Sequence, residues 1–186
     1  MMPGYWQDPV VFLLSSVFNI AAVLFWIRAL IVLTSRDRFD PLLRSIVRLT
    51  EPVLAPLRHV IPTYRGHELG ALLVLVLLQV GFYFALAGIT GITLPLPLLP
   101  RLAAADLTVL LLNIYTFSIL IQVLLSWISP GQYPPAAMLL FRLTGPLLDR
   151  ARRLLPDTGM MDFSPLLVLL LLQVLKRLIA PLGTGL

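Results

Sequence analysis

Four long apolar runs alternate along the chain with shorter segments in which basic and apolar residues recur at helical spacing. The first run, 10–34, has 25 residues, more than the ~20 needed to cross a hydrocarbon core of ~30 Å. The second is 69–93. The third, 102–129, carries Asp106 near its start and Trp127 at its far interface, where an indole ring sits well. The fourth, 164–182, is the weakest, because about 13 largely apolar residues precede Lys176 and Arg177. It crosses only if those two side chains extend their heads to the interface. Arg28, about two turns from the end of the first run, is expected to snorkel in the same way.

Between the first two runs Pro41 opens a segment, 41–61, with Asp40 as its N-cap. Leu42, Leu43, Ile46, Val47, Leu49, Val53, Leu54, Leu57, Val60 and Ile61 fall at spacings of three and four and make one apolar face, while Arg44, Arg48, Glu51, Ala55 and Arg58 make the other. That pattern predicts a helix lying in the headgroup plane. Pro52 and Pro56 each remove a backbone donor and clash with the carbonyl four residues back, which predicts a kinked pair of short helices or a shallow re-entrant hairpin. A second such segment, 135–155, has Arg142, Asp149, Arg152 and Arg153 on its polar side and Pro146 at the place of Pro52. Asp149 and Arg153 stand four apart and predict a surface ion pair. In the second run Gly81, Ala85 and Gly88 are spaced to let another helix approach closely.

The two halves are copies. Residues 48–62, RLTEPVLAPLRHVIP, return 94 positions later as 142–156, RLTGPLLDRARRLLP, so Pro62 is matched by Pro156. The same offset pairs Pro41 with Pro135, Asn19 with Asn113, and LLVLVLLQV ending at Val80 with LLVLLLLQV ending at Val174. An internal repeat of this length dictates architecture: an all-α integral membrane protein with four transmembrane helices in two repeats, 1–93 and 102–186, joined by a linker at 94–101. Each repeat reads as spanning helix, amphipathic interfacial segment, spanning helix. Two spans per unit make the repeats parallel, related by an axis along the membrane normal.

Composition narrows the class. At 59% hydrophobic and 12% charged, the chain is well above the roughly 45–50% apolar content of soluble domains. No cysteine is present, which excludes disulfides and thiolate chemistry. The formal charge of +5 is mostly arginine, and in a membrane protein such an excess sets topology and attracts anionic headgroups; without aromatic-basic interleaving on a recognisable module, nucleic acid is not expected. Six of the 14 lysines and arginines lie between the first two runs, four between the last two, and one between the second and third. Both amphipathic segments are therefore expected in the cytoplasm and both termini outside, with Lys176 and Arg177 running against the rule. Asp8 precedes the first run and no basic n-region is present, so that run is expected to stay as a membrane anchor.

Four amides recur at depth: Asn19 and Asn113 in the first helix of each unit, Gln79 and Gln173 in the second. An amide in hydrocarbon is costly unless bonded, so they are expected to pair between helices or to line a common polar interior for ions or water. His59, His67 and Glu68 match no metal-ligand spacing, and no metal or other cofactor is expected. With no phosphate loop, serine elbow or paired carboxylates at catalytic spacing, the chain is not read as an enzyme.

These residues resemble the YggT family of bacterial integral membrane proteins, which is related to the chloroplast YlmG and CCB3 proteins. In the first unit the matches are Asp40 and Pro41, the RLTEP run with Thr50, Glu51 and Pro52, then Pro62 and the apolar run closing at Gln79. In the second they are Ser126 and Trp127, Arg142 to Thr144, Pro146, Pro156 and the run closing at Gln173. Val32 and Leu33 stand where the second copy has Ser-Trp, and Gly145 stands where the first has Glu51. The resemblance implies a non-enzymatic membrane component; relatives are connected with osmotic-shock tolerance and potassium uptake, with cell division and nucleoid distribution, and with cytochrome maturation in plastids.

Two functions fit. In the first, a membrane assembly or scaffold protein uses Arg44, Arg48, Arg58, Arg142, Arg152 and Arg153 to bind anionic lipid and a partner protein. In the second, a homo-oligomer conducts a cation such as potassium past the four amides.

Overall fold

A computed structural model of the chain describes residues 7–34, 41–57, 69–93, 95–128, 134–155 and 162–183. Among the described residues six α-helices follow in chain order: α1 (Gln7–Thr34), α2 (Pro41–Leu57), α3 (Leu69–Thr90), α4 (Leu99–Ile128), α5 (Pro135–Leu154) and α6 (Ser164–Gly183). Four of them are long and apolar enough to cross a membrane, at Asp8–Leu30, Gly70–Thr90, Leu96–Ile128 and Ser164–Gly183. At 1.5 Å per residue, α6 is about 30 Å long and α4 about 45 Å, so α6 just matches a hydrocarbon core and α4 overshoots it. The molecule is an all-α, multi-pass membrane fold.

Each repeat has a core cluster, and that of the first also takes in Leu107 of α4. Phe25, Leu54, Val74 and Leu75 unite α1, α2 and α3, and Ile119, Leu148, Val168 and Leu172 unite α4, α5 and α6. Phe25 and Ile119, Leu54 and Leu148, and Val74 and Val168 are pairs at the repeat offset of 94, so the halves share packing as well as sequence. A third cluster of Tyr83, Leu99 and Leu102 fastens the end of α3 to the start of α4. α4 contacts both α1 and α3, which seats the second repeat against the first.

α2 is one helix, not a kinked pair: Pro52 and Pro56 both lie inside Pro41–Leu57. Both prolines are exposed and stand one turn apart on the same side, so the carbonyls they release at Arg48 and Pro52 face outward. The opposite side of α2 is buried through Thr50 and Leu54. The apolar face forecast for this helix is therefore divided, because Leu49 and Val53 are exposed.

α3 approaches its neighbours at its start, not along the forecast small-residue row. A Cβ on Gly70 would stand 3.2 Å from Leu54, whereas one on Gly81 would be in ordinary contact with Phe18 and one on Gly88 would meet nothing. Gly91 ends α3 in the left-handed region, φ 71°, with its N–H donating to the Ala87 carbonyl at 2.9 Å.

Candidate functional site

The amphipathic helices are fastened to the spans by matched polar contacts. Arg28 of α1 has no exposed surface: its guanidinium donates to Thr50 Oγ1 at 2.6 Å, to the Val47 carbonyl at 3.0 Å and to Glu51 Oε2 at 3.0 Å. The snorkelling forecast for Arg28 is thus overturned. A guanidinium six residues short of the helix end finds a carboxylate and two further acceptors on α2, and a buried charge with such partners has no need of the interface. Glu51, assigned by periodicity to the outer face, is half-buried in this ion pair.

The second repeat makes the same contact without charge. Gln122 of α4 donates through Nε2 to Thr144 Oγ1 of α5 at 2.5 Å, and Gln122 and Thr144 are both buried. Gln122 is the counterpart of Arg28, and Thr144 of Thr50. Each threonine hydroxyl also donates to the carbonyl four residues back, Ile46 at 2.7 Å and Leu140 at 2.9 Å. Where the guanidinium is replaced by an amide, its partner Glu51 is replaced by Gly145. The departure of Gly145 from Glu51 follows: a glutamate there would face an amide and lose its counter-ion.

The second feature is a cavity of about 250 Å³ between α1, α3 and α4. Its polar lining is Ser15, Asn19, Gln79, Asp106 and Asn113. Phe18 and Phe82, ring centroids 5.7 Å apart, wall one side. Gln79 donates to Asp106 Oδ2 at 2.9 Å, and the Tyr83 hydroxyl donates to the same oxygen at 2.5 Å. Three of the four amides thus meet, and Gln173, exposed on α6, does not line the cavity. The sequence placed Asp106 near the start of a span beginning at 102; α4 begins at Leu99, which sets Asp106 about 10 Å inside the helix. Tyr83 and Gln79 stand one turn apart on α3, which is why both reach one carboxyl oxygen.

The basic residues stand as follows. Arg44, Arg48, Arg142 and Arg153 are exposed on α2 and α5. Arg152 bridges Asp149 at 3.1 Å and Asp162 at 2.9 Å, tying α5 to the start of α6. Asp149 therefore pairs with the arginine three residues on, and not with Arg153 as its spacing suggested. The Asp162 carboxyl lies below its ordinary range because Ser164 hydrogen-bonds to it and Arg152 sits beside it. Pro41 is the first residue of α2, Pro52 and Pro146 are exposed within their helices, and Trp127 is 77% exposed at the end of α4. Asp40, Arg58, His59, Pro62, His67, Glu68 and Pro156 lie outside the described residues. Among the described residues no three of His, Cys, Asp or Glu gather as a metal site.

Comparison with known proteins agrees with this doubled architecture. Residues 7–89 and 102–183 each match the CCB3/YggT family. The uncharacterized protein YggT of Escherichia coli is 33% identical over 177 residues, covering 94% of this chain and 90% of its own. An uncharacterized protein of Pseudomonas aeruginosa is 32% identical over 174 residues, covering 91% of this chain and 87% of its own, and one of Haemophilus influenzae is 31% identical over 176 residues, covering 93% and 92%. No solved structure matches. With a family match on each repeat and relatives aligned over most of both chains, the chain belongs to the CCB3/YggT family.

Proposed function

We propose that this protein is a non-enzymatic scaffold of the bacterial inner membrane, whose two basic helices collect anionic lipid at the cytoplasmic face and present a surface to a partner protein. One observation carries the reading: α2 and α5 are each held against a span through a buried threonine, and that hold leaves Arg48, Arg142 and Arg153 exposed. A cation fixed at the headgroup level attracts anionic lipid by about 1 kcal/mol per residue. Arg152 contributes less, since Asp149 and Asp162 already neutralise it.

The test is lipid retention. Purified protein reconstituted in nanodiscs of mixed phosphatidylethanolamine and phosphatidylglycerol is expected to enrich phosphatidylglycerol, and R48A/R142A/R153A to lose most of that enrichment. Equal lipid composition around the variant and the parent would remove the basis of the reading.

A second reading, conduction of a cation or water by an oligomer, is favoured by the cavity that gathers Asn19, Gln79 and Asn113. Flux into liposomes that is lost in N19L/Q79L/N113L supports it; no flux from folded protein removes it.

A further inference from the structure

We infer that the cavity between α1, α3 and α4 is a binding site for a single alkali-metal cation, with Asp106 supplying the charge and the amides of Asn19, Gln79 and Asn113 supplying neutral oxygens. The inference is independent of lipid binding by the basic helices and requires no conduction.

The argument starts from what Asp106 lacks. Its Oδ2 accepts two hydrogen bonds, from Gln79 and Tyr83, and both donors are neutral. They solvate a carboxylate without cancelling its charge. Among the described residues no lysine or arginine pairs with Asp106. An ionisable group inside a spanning helix is costly and calls for a partner of opposite charge.

The surroundings deepen the negative potential. The last residue of α6, Gly183, comes so close that a Cβ on it would stand 2.7 Å from Asp106 Oδ1. The C-terminal end of a helix carries a partial negative charge from the aligned peptide dipoles. Carboxylate and helix end thus meet with no described cation between them. Contrast Arg28, where the same fold answers a buried charge with a carboxylate at 3.0 Å.

The donor set selects the ion. Gln79 spends its Nε2 on Asp106, which leaves its carbonyl oxygen as an acceptor at the cavity wall. Carboxylate and amide oxygens suit hard cations. One formal negative charge balances one positive charge, whereas divalent sites recruit several carboxylates. A volume of about 250 Å³ admits the ion with part of its hydration shell. By helical rise the polar lining sits about 10–21 Å from the ends of α1, α3 and α4 that lie opposite α2 and α5, so the site reaches from Asp106 on that side to about the middle of the spans at Asn113.

The experiment is a salt titration of thermal stability on the full-length protein in detergent, followed by the emission of its three tryptophans. Choline chloride is exchanged stepwise for NaCl or KCl at constant ionic strength. A saturable rise of about 3–6 °C at ten times the dissociation constant is expected in at least one of the two salts. D106N, whose side chain can still accept from Gln79 and Tyr83, is expected to abolish it. No saturable rise in either salt, or the same rise in D106N, would overturn the inference. Should D106N fail to fold, N19L/N113L decides: a titration shifted to higher salt supports the site, and an unchanged one overturns it.

Discussion

Arg28 and Gln122 stand 94 residues apart at equivalent places in the two repeats, and each donates a hydrogen bond to the hydroxyl of a threonine 22 residues further along the chain. One contact is ionic and the other neutral. In the first repeat the guanidinium also engages Glu51; in the second neither the charge nor the carboxylate is present. The chain thus contains two solutions to one problem, how to hold an interfacial helix against a span without leaving a buried polar group unpaired.

That comparison predicts a coupled pair. E51A takes the carboxylate away from the buried Arg28 guanidinium, and a buried charge stripped of its counter-ion costs up to about 3–5 kcal/mol. R28Q/E51A rebuilds the arrangement of the second repeat and should be more stable than E51A alone. Circular dichroism at 222 nm during thermal unfolding in detergent reads both. Equal melting of E51A and the double variant would mean that the ion pair is incidental.

The threonines carry the rest of the hold. T144V removes the acceptor of Gln122 while keeping the shape, and leaves a buried amide unpaired at a cost of about 1–3 kcal/mol. T50V should cost less in helix attachment, because Arg28 keeps Glu51 and the Val47 carbonyl. Hydrogen exchange along α5 and α2 separates the two, with α5 of T144V expected to lose more protection than α2 of T50V. The reverse order would place the second repeat's hold elsewhere.

Much of this was legible in the sequence, and the boundary is physical. Apolar length marks four spans and the 94-residue offset marks the doubling, because both are properties of long stretches that no single contact can override. Periodicity failed at Glu51, since a helix with exposed Leu49 and Val53 is turned by what its partner offers, here the guanidinium of Arg28. It also failed to join Asp106 to Gln79 and Tyr83. Asp106 has no repeat counterpart, Phe12 being its equivalent, so the internal comparison that exposed the amides was silent about the acid. The signal available for the hold was the gapless register that places Gln122 opposite Arg28, two long donors at one position.

The junction of α5 and α6 should respond to acid. Asp162 accepts from the Ser164 N–H at 2.9 Å and from Arg152 Nε at 2.9 Å, and these bonds hold its carboxyl below the usual 3.8. A depressed carboxyl contributes stability that is present above its unfolded value and is lost as pH falls through the lower folded value. The hydrogen-exchange protection factor at the first turn of α6, in which the intrinsic pH dependence of amide exchange is divided out, should therefore stay constant from neutrality to about pH 5 and fall below the ordinary carboxylate range, a change that D162N removes. Acid response unaltered in D162N would assign it to another group.

The orientation of the molecule is open to a labelling experiment, because the chain contains no cysteine and any thiol introduced is unique. Arg48 and Arg142 are exposed on the two amphipathic helices, and Arg101 is exposed near the start of α4, at the other end of the spans. The excess of arginine between spans one and two, and again between three and four, predicts that both amphipathic helices face the cytoplasm. In intact spheroplasts a membrane-impermeant maleimide should label R101C and leave R48C and R142C untouched, and permeabilisation should expose all three. Labelling of R48C without permeabilisation would invert the protein. The arginines would then face the leaflet where the transmembrane potential works against them, and the lipid-binding surface would lose its electrostatic reason to exist.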